Sequence, residues 1–142
     1  MPGAVASIRT EIPVEAPAEQ VWDAVRDVGA VHRRLLPGYV AETRVDGRVR
    51  TLILPHGGLV RELIVAVDDG SRRMAYAVVE SRQPITHHHA SFQVFPEGLQ
   101  RCRLVWITDL LPDSLAEEVR ARMERGAQVM KETLESRRAP QG

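Results

Sequence analysis

The chain carries six strand-like runs in succession followed by one long amphipathic helix, and this order constrains the fold more than any other feature. The runs are separated by turn signals. "YVAETRV" and "RVRTLIL" flank Asp46-Gly47, a dipeptide that tolerates the positive φ of a tight two-residue hairpin turn. "LVRELIVAV" and "RRMAYAVVE" flank "DDGS", and "THHHASFQVF" and "RCRLVWITDLL" flank "PEGLQ". Pro112-Asp113-Ser114 then opens a predicted helix over 115–136. Its residues Leu115, Val119, Met123, Gly126, Ala127, Met130 and Leu134 form one apolar or small stripe. Consecutive hairpins make an antiparallel meander with one apolar face, and the helix supplies the stripe that covers it.

Ahead of the meander, residues 5–14 alternate from Ile8 as a strand does. "APAEQVWDAVRDV" follows, with Pro17 suited to a first helical turn and Val21, Trp22, Val25 and Val28 at helical spacing. Trp22 is expected in the core. After Gly29, "AVHRRLL" makes a second short helix that ends at Pro37-Gly38. The order is that of an α+β chain.

The 142 residues suit one domain, residues 1–142, with its core over about residues 5–136 and a C-terminal tail, "SRRAPQG", expected to fray. Lys+Arg and Asp+Glu are both 19, which removes the charge argument for a nucleic-acid partner. Cys102 stands alone, so no internal disulfide can form and a reducing compartment fits. The N-terminus makes a poor signal peptide, and no apolar run approaches the ~18 residues that span a bilayer. These features predict a cytoplasmic protein without stable membrane insertion.

The chain resembles the START-like, Bet v 1-like superfamily, the SRPBCC or polyketide cyclase/dehydrase and lipid-transport type. The likeness runs over residues 8–136 in "IPVEAPAEQVWDAV", "VHRRLLPGYVAETRVDG", "RELIVAVDD", "RRMAYAVVES", "PITHHHASFQVFPEG" and "CRLVWITDL". It implies the helix-grip fold: a seven-stranded curved antiparallel sheet of order 1-7-6-5-4-3-2 around the C-terminal helix, with two short helices between strands 1 and 2. It also implies a ligand cavity between sheet and helix. No cofactor is expected. The hormone-receptor-like branch carries a Ser-Gly-Leu-Pro gate, a His-Arg-Leu latch and a pocket lysine. Here "LPHGG", "RQPIT" and Ala41 stand near those places, so an abscisic-acid-type receptor is not supported.

Strand alternation assigns directions. His88 points inward with Ala90, Phe92 and Val94, while His87 and His89 point outward. Three adjacent imidazoles on a strand cannot converge on one ion. His87 and His89 lie about 6.5 Å apart on one face, with no cysteine or carboxylate in that strand to complete a site, so no metal is assigned. Met74, Tyr76 and Val78 are assigned inward, as are Leu104, Trp106 and Thr108. Val105 and Ile107 are apolar on the other parity, which predicts either cover on both faces or a homodimer surface. Around Glu62 both parities are apolar, and its inward assignment rests on the resemblance. The resemblance likewise matches His88 to an inward tyrosine and Tyr76 to an inward aromatic.

The expected pocket is Glu62, Tyr76, Val78, His88, Ala90, Phe92, Trp106 and Thr108 on the sheet, closed by Met123, Ala127 and Met130. Gly126 would let sheet or ligand approach the helix backbone. His56, Gly57 and Gly58 form a candidate lid, with the ordinary hairpin connection as its plain alternative. His32 and His56 are placed near the cavity mouth. A Glu62–His88 polar pair, with Tyr76 nearby, would answer the cost of a buried carboxylate. The expected function is binding of a small, largely hydrophobic molecule, lipid- or polyketide-like. One alternative is a cyclase/dehydratase-type enzyme with His88 and Glu62 as a catalytic acid/base pair working near neutral pH. A second is a structural or interaction module with a vestigial cavity.

Overall fold

The computed structural model describes residues 6–136, so the expected fraying of the tail after Ser136 lies outside the described residues. The strands are β1 (Ala6–Val14), β2 (Glu42–Asp46), β3 (Val49–Ile53), β4 (Leu59–Asp68), β5 (Arg73–Glu80), β6 (His87–Pro96) and β7 (Cys102–Leu111). The helices are α1 (Ala18–Arg26), the single turn α2 (Val31–Arg34) and the long α3 (Ala116–Ser136). The strands form one antiparallel sheet of order β1-β7-β6-β5-β4-β3-β2, the expected helix-grip topology.

Each hairpin follows from its turn. Gly47 adopts φ +63°, a conformation that costs glycine little, and so lets β2 and β3 pair from Asp46 and Val49 outward. The predicted second helix is shorter than "AVHRRLL", because Leu35 leaves helical geometry and Leu36 turns into the core. The long helix starts at Ala116, after one tighter turn over Asp113–Leu115.

Two layers make the core. β1 contributes Ile8, Ile12 and Val14, and α1 contributes Val21, Trp22 and Val25. Trp22 is core as expected, and its indole N–H donates to Asp69 Oδ1 at 2.9 Å, while Arg26 pairs with the same oxygen at 2.8 Å. α3 buries Val119, Met123, Ala127, Met130 and Leu134.

On β7 the double apolar pattern has a one-chain explanation. Val105 is 3% exposed on the outer face, between Glu11 of β1 and Gln93 of β6. Arg103 and Arg9 both bind Glu11 there, and Arg103 lies over the Phe95 ring. Val105 is therefore covered within the chain and not free to mark a dimer surface. Ile107 beside it is half-buried. A row of exposed apolar side chains stands elsewhere, on β4, as Leu59, Leu63, Val65 and Val67. That row explains why periodicity around Glu62 was ambiguous. Among the described residues, no helix is long and apolar enough to cross a membrane.

Candidate functional site

Between the concave face of the sheet and the N-terminal half of α3 lies a cavity of about 430 Å³. Its sheet wall is Leu52, Val60, Glu62, Tyr76, Val78, His88, Trp106 and Thr108, and its helix wall is Val119, Arg122, Met123 and Arg125. Leu36, Tyr39 and Val40 close one side, and Ser81, Gln83 and Ile85 flank another. Gly38, Pro55, His56 and Arg125 are exposed lining residues, and so mark the mouth.

Of the residues expected in the pocket, Glu62, Tyr76, Val78, His88, Trp106, Thr108 and Met123 line it. Ala90, Phe92, Ala127 and Met130 do not; they are packed in the core. The reason is the approach of α3 to the sheet. A Cβ at Gly126 would sit 3.4 Å from the Trp106 ring, so helix and sheet are in contact there. Beyond that contact, Ala127 and Met130 fill the interface. Phe92 lies behind the wall, its ring centroid 4.9 Å from that of Trp106 and 6.2 Å from that of Tyr76.

The expected Glu62–His88 pair is replaced by another. Glu62 is 5% exposed, and its Oε1 accepts two bonds from Arg50, from Nη2 at 2.6 Å and Nε at 2.9 Å. Arg50 faces Glu62 directly across the β3–β4 ladder. Its guanidinium also lies 5.3 Å from the Tyr76 ring centroid, a cation–π distance, and reaches the Val28 carbonyl. Burial pushes the Glu62 carboxyl up, while the Arg50 charge and hydrogen bonds pull the other way. Oε2 of Glu62 accepts no hydrogen bond among the described residues. Burial, reinforced by the Glu62 charge, holds the Tyr76 hydroxyl firmly protonated.

His88 faces the cavity from β6, with its ring centroid 6.5 Å from that of Tyr76. Burial lowers its pKa to about 4, with smaller contributions from the charges of Arg122, His87 and His89. This corrects the expectation of an imidazole that titrates near neutral pH: the ring there is neutral. His88 Nδ1 and Thr108 Oγ1 are buried without a hydrogen-bond partner, whereas the Trp106 indole N–H lies beside the Tyr76 hydroxyl. Two lining groups thus retain unused hydrogen-bonding capacity.

The other histidines sit apart from this chemistry. His87 is exposed, and His89 lies on the outer face in a groove with Arg73 and Asp109. His32 bonds Thr43 Oγ1 at 3.0 Å and does not line the cavity. In the candidate lid, His56 lines the cavity but Gly57 and Gly58 do not. Backbone bonds from Gly57 N to Leu54 O and from Leu54 N to Gly58 O, both 2.8 Å, close that segment as a tight turn.

Sequence reasoning missed Arg50, Arg122 and Arg125. The turn over residues 54–58 held a signal for the first, since counting outward from it, with Ile53 opposite Leu59, sets Arg50 opposite Glu62. Arg122 and Arg125 flank the apolar stripe of α3 at helical spacing, where solvated arginines are also expected.

The fold has many counterparts among solved structures. XoxI from Bacillus cereus superposes with a TM-score of 0.78 at 21% identity, over 92% of this chain and 94% of that one. The ZhuI aromatase/cyclase from a Streptomyces species gives 0.76 at 18% identity, over 94% and 93%. Norcoclaurine synthase from Thalictrum flavum, in complex with dopamine and hydroxybenzaldehyde, gives 0.71 at 18% identity, over 96% and 90%. At these identities the likeness concerns the fold. No curated protein matches the chain. Residues 5–136 match the family described as polyketide cyclase / dehydrase and lipid transport. With that match spanning the sheet, the cavity and α3, the chain belongs to the polyketide cyclase / dehydrase and lipid transport family.

Proposed function

We propose that this protein binds a small, largely apolar molecule, lipid- or polyketide-like, in the cavity between sheet and α3. Glu62, Tyr76 and His88 are its polar anchors on the sheet wall. The observation that carries this reading is the cavity itself: about 430 Å³, walled mainly by apolar side chains, with a limited set of polar groups among them. That is the composition of a small-molecule site. The Thr108 hydroxyl and the His88 ring nitrogen are buried beside the cavity without a partner of their own, which supports a ligand that supplies the missing hydrogen bonds. The family's description, and the small aromatic molecules held by norcoclaurine synthase, support the same class. The unpaired, buried thiol of Cys102 fits a cytoplasmic setting.

Trp106 provides the test, because it lines the cavity while Trp22 lies in the core. In a Trp22→Phe background, a panel of fatty acids and aromatic polyketides is titrated against tryptophan emission. Saturable quenching is expected, and it should vanish when Val60→Phe and Val78→Phe fill the cavity. Quenching by no member of the panel, or undiminished quenching in the filled variant, defeats the proposal.

One observation favours a second reading, an enzyme of the cyclase/dehydratase type. Glu62 is a buried carboxyl on the cavity wall with one oxygen uncommitted, and burial favours its taking up a proton. Such a group can remove a proton from carbon beside a carbonyl and return it to a leaving hydroxyl. His88, with its pKa near 4, is the weaker base of the two at neutral pH.

A further inference from the structure

The cavity lining has an unbalanced charge. Its one acidic residue is Glu62, and Arg50 neutralises it through two hydrogen bonds. Two arginines, Arg122 and Arg125, line the helix wall three residues apart, hence side by side on α3. Arg122 commits Nη2 to Gln83 Oε1 and, at 3.4 Å, to Glu118 Oε2. Its Nε and Nη1 have no partner among the described residues. Arg125 makes no ion pair or side-chain hydrogen bond among them. Glu118 therefore answers part of one positive charge, and the rest is unanswered among the described residues.

The position of this charge matters. Arg125 is exposed at the mouth, whereas Leu52, Val60, Val78 and Met123 form the apolar wall. A molecule with an apolar body and one charged end would place each part against its complement. Guanidinium groups offer N–H pairs that match the two oxygens of a carboxylate, and such charge-assisted bonds are stronger than neutral ones.

We propose that the cavity selects amphiphilic carboxylates, with the carboxylate seated between Arg122 and Arg125 at the mouth and the apolar body directed inward. This rests on the cavity-binding reading above and sharpens it to one chemical class.

The test uses matched probes that differ in charge alone: octanoate and naphthylacetate, each against its own methyl ester, titrated calorimetrically at low salt. Each acid should bind about tenfold tighter than its ester, the effect of one good charge-assisted contact. The preference should shrink as salt is added, because the site is near solvent. In an Arg122→Gln/Arg125→Gln variant the acids should fall to the level of the esters, whose affinity stays the same. The Arg122→Lys/Arg125→Lys variant should keep a preference for the acid. The Arg122 side chain is 41% exposed, so these changes leave the core intact. If acid and ester bind alike, or the preference survives the glutamine variant, the carboxylate assignment is overturned while cavity binding stands. Binding of neither acid nor ester overturns both.

Discussion

Arg50 and Glu62 face each other across β3 and β4 with both side chains nearly out of water. Removing one member leaves the other as a buried, unpaired charge, which costs more than the pair is worth. Glu62→Ala should therefore lower unfolding stability by about 3–5 kcal/mol in urea titration. Replacing both, with Arg50→Met added to Glu62→Ala, should recover much of that loss. An unaffected Glu62→Ala would mean that water reaches Arg50. His88 makes a prediction of opposite character. Its pKa falls from 6.5 to about 4 on folding, so between those values the unfolded chain binds more protons. Its contribution to stability is complete above pH 6.5 and is lost as the pH falls toward about 4. Urea midpoints across that window should decline more steeply for the wild type than for His88→Gln; equal slopes would show that the ring is not desolvated. The inward direction of His88 was legible from alternation. Its neutrality was not, because it depends on burial and on Arg122, which lies 34 residues away in the chain.

At the scale of elements, α3 comes close to β7 at Gly126. Gly126 stands in mid-helix, where glycine is less favourable than alanine by about 1 kcal/mol. A methyl group there would meet Trp106 at 3.4 and 3.5 Å, ordinary contact distances. Gly126→Ala should thus raise the thermal midpoint, by an amount equivalent to about 0.5–1 kcal/mol. Gly126→Leu should lower it, because its further atoms must displace the indole or Leu36. If alanine destabilises, the contact is tighter than described. Element order and sheet topology were legible because each hairpin announces itself locally, as Asp46-Gly47 does. The length of α2 was not, since Leu35 and Leu36 continue a helical pattern but are drawn into the core by tertiary packing.

For the molecule as a whole, the division of the helix–sheet interface into an open half and a packed half decides where a ligand can sit. Periodicity shows which face a residue turns to; it does not show how near the opposite layer comes. Met123 and Met130 belong to the same stripe of α3, yet one lines the cavity and the other is core. Phe92 and Tyr76 share the inward face of the sheet in the same way, and only Tyr76 reaches the open space. The contact between Trp106 and Gly126 draws that boundary, and it exists only once the sheet has curved around the helix. The walls that remain open are unlike one another. Glu62, Tyr76, His88 and Thr108 all belong to the sheet, while α3 opposes them with Val119, Arg122, Met123 and Arg125. A flat molecule held between them would meet the mixed polar and apolar wall of the sheet on one face and the side chains of α3 on the other. Its trigonal carbons would then have two inequivalent sides, so a ligand bound as proposed would present its prochiral faces to different surroundings.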